Sequence, residues 1–357
     1  MDKSLKKLRT EIDQIDLLIL KLLNRRAETA KKAAEIKTNS TNKKIFRPER
    51  ESQIIRNITK LNKGPLNKDH LSVIYKEIIS SCLSLETELK VSFLGPSGSF
   101  SEAAVRKIFG SSLSPTCRDS ISDIFEDVIS NTVNYGIVPI ENSNQGSINQ
   151  TLELLIDKPT LICGEVNLDI KHCLLSNNKN LNSIKTVYVH EQTYLQCKDW
   201  LAKNLANCKR INVSSNSEAA RKVKKIKNSA AIAGSNCANK YNLHILKKNI
   251  QDCFNNATRF ILIGTEPVAA SGKDKTSIVV STKDKSGALY SLLKPLSTNK
   301  ISMTKIESIP TKRKNWEYMF FVDIVGHISQ TKIKQALNLI KKKSTFYKNL
   351  GSYPESI

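Results

Sequence analysis

The sequence predicts a multidomain chain with three parts: an all-α segment over 1–90, a two-lobed α/β segment over 91–267 and an α+β segment of ferredoxin-like order over 275–357. Three observations carry this. Residues 4–88 hold a single glycine, Gly64, and repeat apolar residues at three and four spacing. From Val91 the pattern becomes short apolar runs alternating with amphipathic stretches. After Asp274 the runs fall in the order strand, helix, strand, strand, helix, strand. At 357 residues the chain exceeds the ~100–200 of a usual domain, so two or three domains are expected.

In the first segment Leu5, Leu8, Ile12, Ile15, Ile19, Leu22 and Leu23 form one helical stripe, which Ala27, Ala30 and Ala34 extend to Ile36. Such a helix is ~50 Å long. That is too long for one small globule, so it predicts packing against a partner chain. Pro48 suits the first turn of a second helix, and Gly64-Pro65 ends it. Asn67 is the expected N-cap of a third, with Leu71, Ile74, Ile78, Ile79, Cys82 and Leu83 inward.

In the second segment, strands are expected at Val91–Leu94, Val187–Val189, Ala230–Ala233 and Phe260–Ile263. In the third, the runs are Ser277–Thr282, Ala288–Leu296, Ser302–Ile309, Trp316–Val325, Lys332–Lys341 and Phe346–Leu350. Residues 267–274 read as the linker.

A formal charge of +23 raises the question of nucleic-acid binding. The charge is mostly Lys, spread along the whole chain, and no RNP, zinc-finger or helix-turn-helix pattern accompanies it. A basic nucleic-acid binder stays open as a reading that predicts salt-steep retention on DNA. Small dianionic substrates suit the positive field better. Eight cysteines occur without a Cys-x-x-Cys pair, which argues for reduced thiols in cytosol and against a zinc site or disulfide scaffold. No apolar run approaches the ~20 residues of a membrane span, and Met1-Asp2-Lys3-Ser4 leads into a charged pattern rather than a signal peptide. A cytoplasmic enzyme without metal or organic cofactor is expected.

Residues 134–153 concentrate the chemistry. The apolar run Ile137–Ile140 breaks into Glu141-Asn142-Ser143, as a buried strand does when it delivers polar groups to a ligand site. A second switch runs Asn255-Asn256-Ala257-Thr258-Arg259-Phe260. Together, Gly-Ile-Val-Pro-Ile-Glu-Asn-Ser and Thr-Arg-Phe resemble the prephenate dehydratase family, whose α/β domain has two lobes like a periplasmic binding protein. The resemblance implies removal of water and carbon dioxide from prephenate to leave phenylpyruvate. It makes Thr258 the candidate proton donor or relay to the departing hydroxyl, and Arg259 a carboxylate or structural grip beside Phe260. Glu141, Asn142 and Ser143 form a second polar wall, where Gly146 lets the backbone approach. The loop Gly95–Ser101, with Ser97 and Ser99, resembles the family's glycine loop, where a helix amino terminus receives a carboxylate. In Val187-Tyr188-Val189-His190-Glu191-Gln192, Val189 and Glu191 replace a Ser and a Pro of relatives, while Gln192 and Gln196 remain. His190 reads as ligand or structural residue.

The first segment resembles the all-helical chorismate mutases through Leu8-Arg9-Thr10-Glu11-Ile12-Asp13, Asn24-Arg25-Arg26, Ile36-Lys37 and Arg47-Pro48-Glu49-Arg50-Glu51. An ordinary coiled-coil arm is the plainer alternative. The resemblance implies an intertwined three-helix dimer and places Arg9, Arg26, Lys37, Arg50 and Glu51 at the active site. Arg26 and Lys37, eleven residues apart, share a helix face, whereas Arg9 lies about 100° around the axis and suits a partner's pocket. Glu86 stands where many relatives carry a Gln donor, so it must be protonated to donate, and activity should fall as pH rises through its pKa. Gly287-Ala288-Leu289-Tyr290 and Glu307-Ser308-Ile309-Pro310, then Trp316-Glu317-Tyr318, resemble the ACT domain, which binds phenylalanine at a dimer seam. Gly287, Ala288, Leu289, Glu307 and Ser308 are the expected effector residues. Ile309 replaces an Arg, so feedback is expected to be weakened.

The expected whole is a bifunctional chorismate mutase–prephenate dehydratase of phenylalanine biosynthesis. It would act on chorismate and prephenate, with phenylalanine as effector. Val189, Glu191 and Ile309 support the alternative, a non-catalytic amino-acid-responsive binding protein on the same folds.

Overall fold

The computed structural model describes residues 3–38, 46–86, 88–253, 255–283, 285–310 and 318–356. It divides into two units. The first comprises residues 1–89 with 108–114, and the second residues 90–107 with 115–357.

Helical periodicity in the first unit becomes α1 (Lys3–Thr38), α2 (Pro48–Leu61) and α3 (Lys68–Glu86). Pro48 starts α2, where its missing N–H costs nothing. Asn67 caps α3 as expected, its Oδ1 accepting the His70 N–H at 2.8 Å. Every residue from Lys3 to Arg25 is exposed, although the stripe through Leu8, Ile12 and Ile15 is apolar.

The chain continues with β1 (Val91–Leu94), α4 (Phe100–Phe109), β2 (Thr116–Arg118), α5 (Ile121–Ile129), β3 (Tyr135–Asn142), β4 (Gly146–Ser147), α6 (Asn149–Asp157) and β5 (Leu161–Asp169), the strands and helices of a first lobe. A second lobe follows: β6 (Cys173–Ser176), β7 (Thr186–Val189), α7 (Glu191–Gln196), α8 (Lys198–Asn204), β8 (Lys209–Asn212), α9 (Asn216–Val223), β9 (Ser229–Ala233), α10 (Ser235–Tyr241) and β10 (His244–Lys247). The chain then returns to the first lobe with β11 (Ala257–Gly264). The lobes have separate sheets, ordered β2-β1-β3-β11-β5, with β4 on β3, and β10-β6-β9-β7-β8. The two crossings pair with each other: Ile170 N–H donates to Asn256 O at 2.7 Å, and Ile250 N–H to His172 O at 2.9 Å.

The last part is β12 (Asp274–Ser281), α11 (Ala288–Thr298), β13 (Met303–Pro310), β14 (Tyr318–Val325), α12 (Thr331–Lys343) and β15 (Phe346–Pro354). Its antiparallel sheet has the order β13-β14-β12-β15. One face of this sheet shares a core with the first lobe. Val279, Ile309, Phe321, Leu350 and Tyr353 pack in one cluster with Val138, Ile140, Leu152 and Ile261. Ile309 is therefore a core residue of this junction, which explains an apolar side chain there. Trp316 and Glu317, quoted above, lie outside the described residues.

Candidate active sites

The first unit holds a cavity of about 640 Å³ between its helices. Arg26, Arg50, Glu51 and Glu86, all expected site residues, line it together. Arg25 and Arg47 line it as well. They come from three helices, so only the folded unit gathers them. Four guanidiniums around one cavity suit a dicarboxylate, which each can grip through paired N–H donors. Glu51 is the unusual member. Burial, only partly offset by Lys76, pushes its carboxyl up to about 7. Arg9 does not line the cavity and stands exposed on α1. The side chain of Lys37 lies outside the described residues.

In the second unit, register decides the site. Strand β11 begins at Ala257, not at Phe260, so the Thr-Arg-Phe run lies inside it. Thr258 pairs with Asn142 and Arg259 with Glu141 across the antiparallel β3–β11 ladder. Successive residues of a strand face opposite sides. Asn142 and Thr258 therefore meet on one face, where Asn142 Nδ2 donates to Thr258 Oγ1 at 2.8 Å. The same Nδ2 donates to Asn256 Oδ1 at 2.9 Å. Asn256 Nδ2 donates to Gln196 Oε1 at 3.0 Å, and His172 Nε2 lies 2.8 Å from that same oxygen.

Glu141 and Arg259 occupy the other face, which is turned toward the ferredoxin-like sheet. Arg259 reaches Asp323 of β14 at 2.6 Å, Glu165 of β5 at 2.8 Å and the Tyr353 hydroxyl of β15 at 3.0 Å. Glu165 also binds Lys275 at 2.8 Å. Desolvation would raise the Glu165 pKa, but Arg259 and Lys275 bring it below the usual carboxylate value. Glu141 pairs with Lys305 of β13 at 2.9 Å. Of the two roles open to Arg259, the geometry carries the structural grip. Each of its three guanidinium nitrogens already donates a hydrogen bond within the protein. Phe260 is core, only 2% exposed.

The remaining expected residues separate in the same way. Ser143 ties its turn to β11, donating to Asn255 O at 2.9 Å and accepting the Ala257 N–H at 3.0 Å. Ser99 Oγ donates to Leu94 O at 3.1 Å, and Ser97 O accepts the Tyr241 hydroxyl at 3.1 Å. At the glycine loop, the Gly98 N–H already donates to Glu102 Oε2 at 2.6 Å, and Lys240 holds the same oxygen at 2.8 Å. The chain's own carboxylate thus sits where a substrate carboxylate was expected. Gln192 is exposed on the first turn of α7 and His190 is that helix's N-cap residue. Val189 packs in the second-lobe core with Leu174 and Ile184, and Glu191 binds Asn212 Nδ2 at 2.6 Å. Both departures from relatives' residues therefore have structural partners.

In the ferredoxin-like sheet, Gly287 adopts φ +74° before α11, a conformation that favours glycine, with Ala288 buried and Leu289 half-buried behind it. Ser308 is exposed. Glu307 turns instead to β4, where Ser147 donates to it at 2.5 Å.

Sequence reasoning missed Asn256, His172, Glu165, Lys305 and Asp323. Asn256 was within reach, since it lies two residues before Thr258, where an extended chain turns alternate side chains the same way. The others join only through tertiary contacts.

Residues 8–87 match the family Chorismate mutase type II, residues 91–268 the family Prephenate dehydratase, and residues 276–338 the ACT domain. The chain is 42% identical to a bifunctional chorismate mutase/prephenate dehydratase of Pseudomonas aeruginosa, over 99% of this chain and 98% of that one. It is 41% identical to the protein of the same description from Aquifex aeolicus, over 99% of each. Among solved structures it resembles a prephenate dehydratase of Arthrobacter aurescens in complex with L-Phe. That match has TM-score 0.68 and 28% identity, covering 74% of this chain and 90% of that one.

Proposed function

The chain belongs to the family of bifunctional chorismate mutase/prephenate dehydratases, and we propose here which of its groups carry the two reactions. It is an isomerase and a lyase: it rearranges chorismate to prephenate and then converts prephenate to phenylpyruvate.

The single observation that carries the lyase assignment is the 2.8 Å bond from Asn142 to Thr258, which joins the two separate motifs. Because Asn142 fills a lone pair of Oγ1, the threonine's own O–H is left to donate. The same N–H stabilises negative charge on Oγ1, so Thr258 becomes a better proton donor than a free alcohol. In the reaction the ring C–O bond breaks as its oxygen takes that proton. The bond to the ring carboxylate breaks at the same time, its electron pair enters the ring, carbon dioxide and water leave, and Thr258 regains a proton from solvent. Gln196 supports substrate binding from the second lobe. Glu141, Arg259 and Ser143 act by holding the strands in register. Replacing Thr258 by Ala tests this: phenylpyruvate production should collapse while mutase activity persists. Unchanged dehydration would refute the assignment.

For the mutase, Arg26 and Arg50, joined by Arg47, grip the two carboxylates, with Glu51 and Glu86 on the ring and ether side. The exposed apolar stripe of α1 supports a homodimer in which Arg9, and Lys37 by resemblance, complete the pocket. We place the protein in the cytoplasm, in keeping with eight free cysteines. No helix among the described residues is long and apolar enough to cross a membrane. Phenylalanine acts as effector through the ACT domain. Lys305 and Glu307 on Glu141 and Ser147, together with Asp323 on Arg259, give that domain a physical hold on both catalytic strands.

A further inference from the structure

The polar chain behind Thr258 has a direction, and it ends on a histidine. Its fixed point is backbone: the Asn144 N–H, which cannot turn over, donates to Asn142 Oδ1 at 3.0 Å. Asn142 must therefore present its NH₂ group to Thr258 and to Asn256 Oδ1. Asn256 in turn presents Nδ2 to Gln196 Oε1. Gln196 Oε1 is thus an acceptor, and its second neighbour, His172 Nε2, has to be an N–H donor.

A neutral imidazole carries one ring proton, so Nδ1 of His172 bears a bare lone pair. That atom is buried and has no hydrogen-bond partner among the described residues. Burial, opposed by the bond to Gln196, holds the His172 pKa below its ordinary value, so the ring is neutral at pH 7. The same deduction leaves the N–H pair of Gln196 without a protein partner among the described residues. His172 stands on the outward crossing between the lobes and Asn256 on the return crossing, so Gln196 is gripped from both.

We propose that His172 is a positioning residue for the dehydration: as the Nε2–H tautomer it fixes the rotation of the Gln196 amide, so that Gln196 N–H and Thr258 O–H reach one substrate together. This rests on the reading of Asn142 and Thr258 given above. Without the imidazole donor, Gln196 Oε1 keeps one partner and the amide is free to turn. Small misplacements of this kind cost reactions up to about 100-fold.

The test uses the full chain, with its mutase activity as internal control for folding. His172→Phe keeps an aromatic ring beside Phe100 but removes the donor. His172→Gln offers an N–H of similar reach. The dehydratase kcat/KM should fall by about 10- to 100-fold in His172→Phe and recover substantially in His172→Gln. Adding Gln196→Ala to His172→Phe should cost little more, because the two residues act as one unit. Nitrogen chemical shifts of His172 in the wild-type protein should report the Nε2–H tautomer at pH 7, a readout independent of either variant's folding. A His172→Phe enzyme within twofold of wild type, or an Nδ1–H tautomer, overturns the proposal. If Thr258→Ala also leaves dehydration intact, the reading beneath it falls too; if Thr258→Ala abolishes it, only the role of His172 is lost.

Discussion

The helical unit and the α/β unit solve the same problem, gripping a doubly anionic ring acid, in opposite ways. In the helical unit, four arginines surround a cavity whose longest wall, α1, is exposed from Lys3 to Arg25. In the α/β unit, the polar groups behind Thr258 are bonded to one another, and those behind Arg259 are sealed against a second sheet. On the proposed reading, the first site relies on many like charges and a partner chain, and the second on a few donors whose orientation is fixed from behind. Charge can be supplied by flexible side chains, whereas a single proton transfer requires placement.

That contrast can be broken at its strongest point. Thr258→Ala should lower dehydratase kcat by about 10²- to 10⁴-fold, the range of a lost general acid, measured as phenylpyruvate absorbance in alkali. Mutase turnover on the same preparation should be unchanged. The complementary change acts on the open unit. Replacing Leu8, Ile12 and Ile15 together by Lys should split the dimer in light scattering and reduce mutase activity at least about tenfold. Dehydration should continue. A fully active mutase in a monomeric variant would end the partner-pocket reading.

The sealed face is tested through stability. Arg259→Leu removes the only cationic partner that Asp323 has among the described residues and one of the two that Glu165 has, each with a side chain 1% exposed, and should destabilise the α/β unit by about 3–5 kcal/mol. Because the folded Glu165 pKa is depressed, its contribution is complete above the ordinary carboxylate value and fades as pH falls through the folded value. Denaturant melts should weaken in acid, and Glu165→Gln should flatten that fall.

The smallest effect sharpens the mutase side. Glu51 titrates at about 7, so above that pH it adds a negative charge to a pocket built for a dianion. The chorismate KM should rise through neutral pH, and Glu51→Gln should remove that inflection. An inflection that persists in Glu51→Gln would move the titration to another group.

Much of this molecule was legible in advance. Helix periods, the Pro48 start, the Asn67 cap and the βαββαβ order follow from local rules that act within a few residues. The separation of Thr258 from Arg259 was not, because it depended on where β11 begins. A strand start three residues earlier than expected turns Arg259 and Glu141 toward the ferredoxin-like sheet. Nor did the sequence show that Ile309, which stands where relatives carry an Arg, packs in the core shared with the first lobe.

By itself the sequence determined the three element patterns, the family motifs and the residue types available to each site, since these are written in neighbours along the chain. Only tertiary structure decided which side chains face one another. The His172–Gln196–Asn256–Asn142–Thr258 chain draws on two crossings, a helix of the second lobe and a strand pair of the first. Hydrogen bonds and ion pairs act over a few ångströms of space, and residues far apart in the chain come within that range only after the strands have paired.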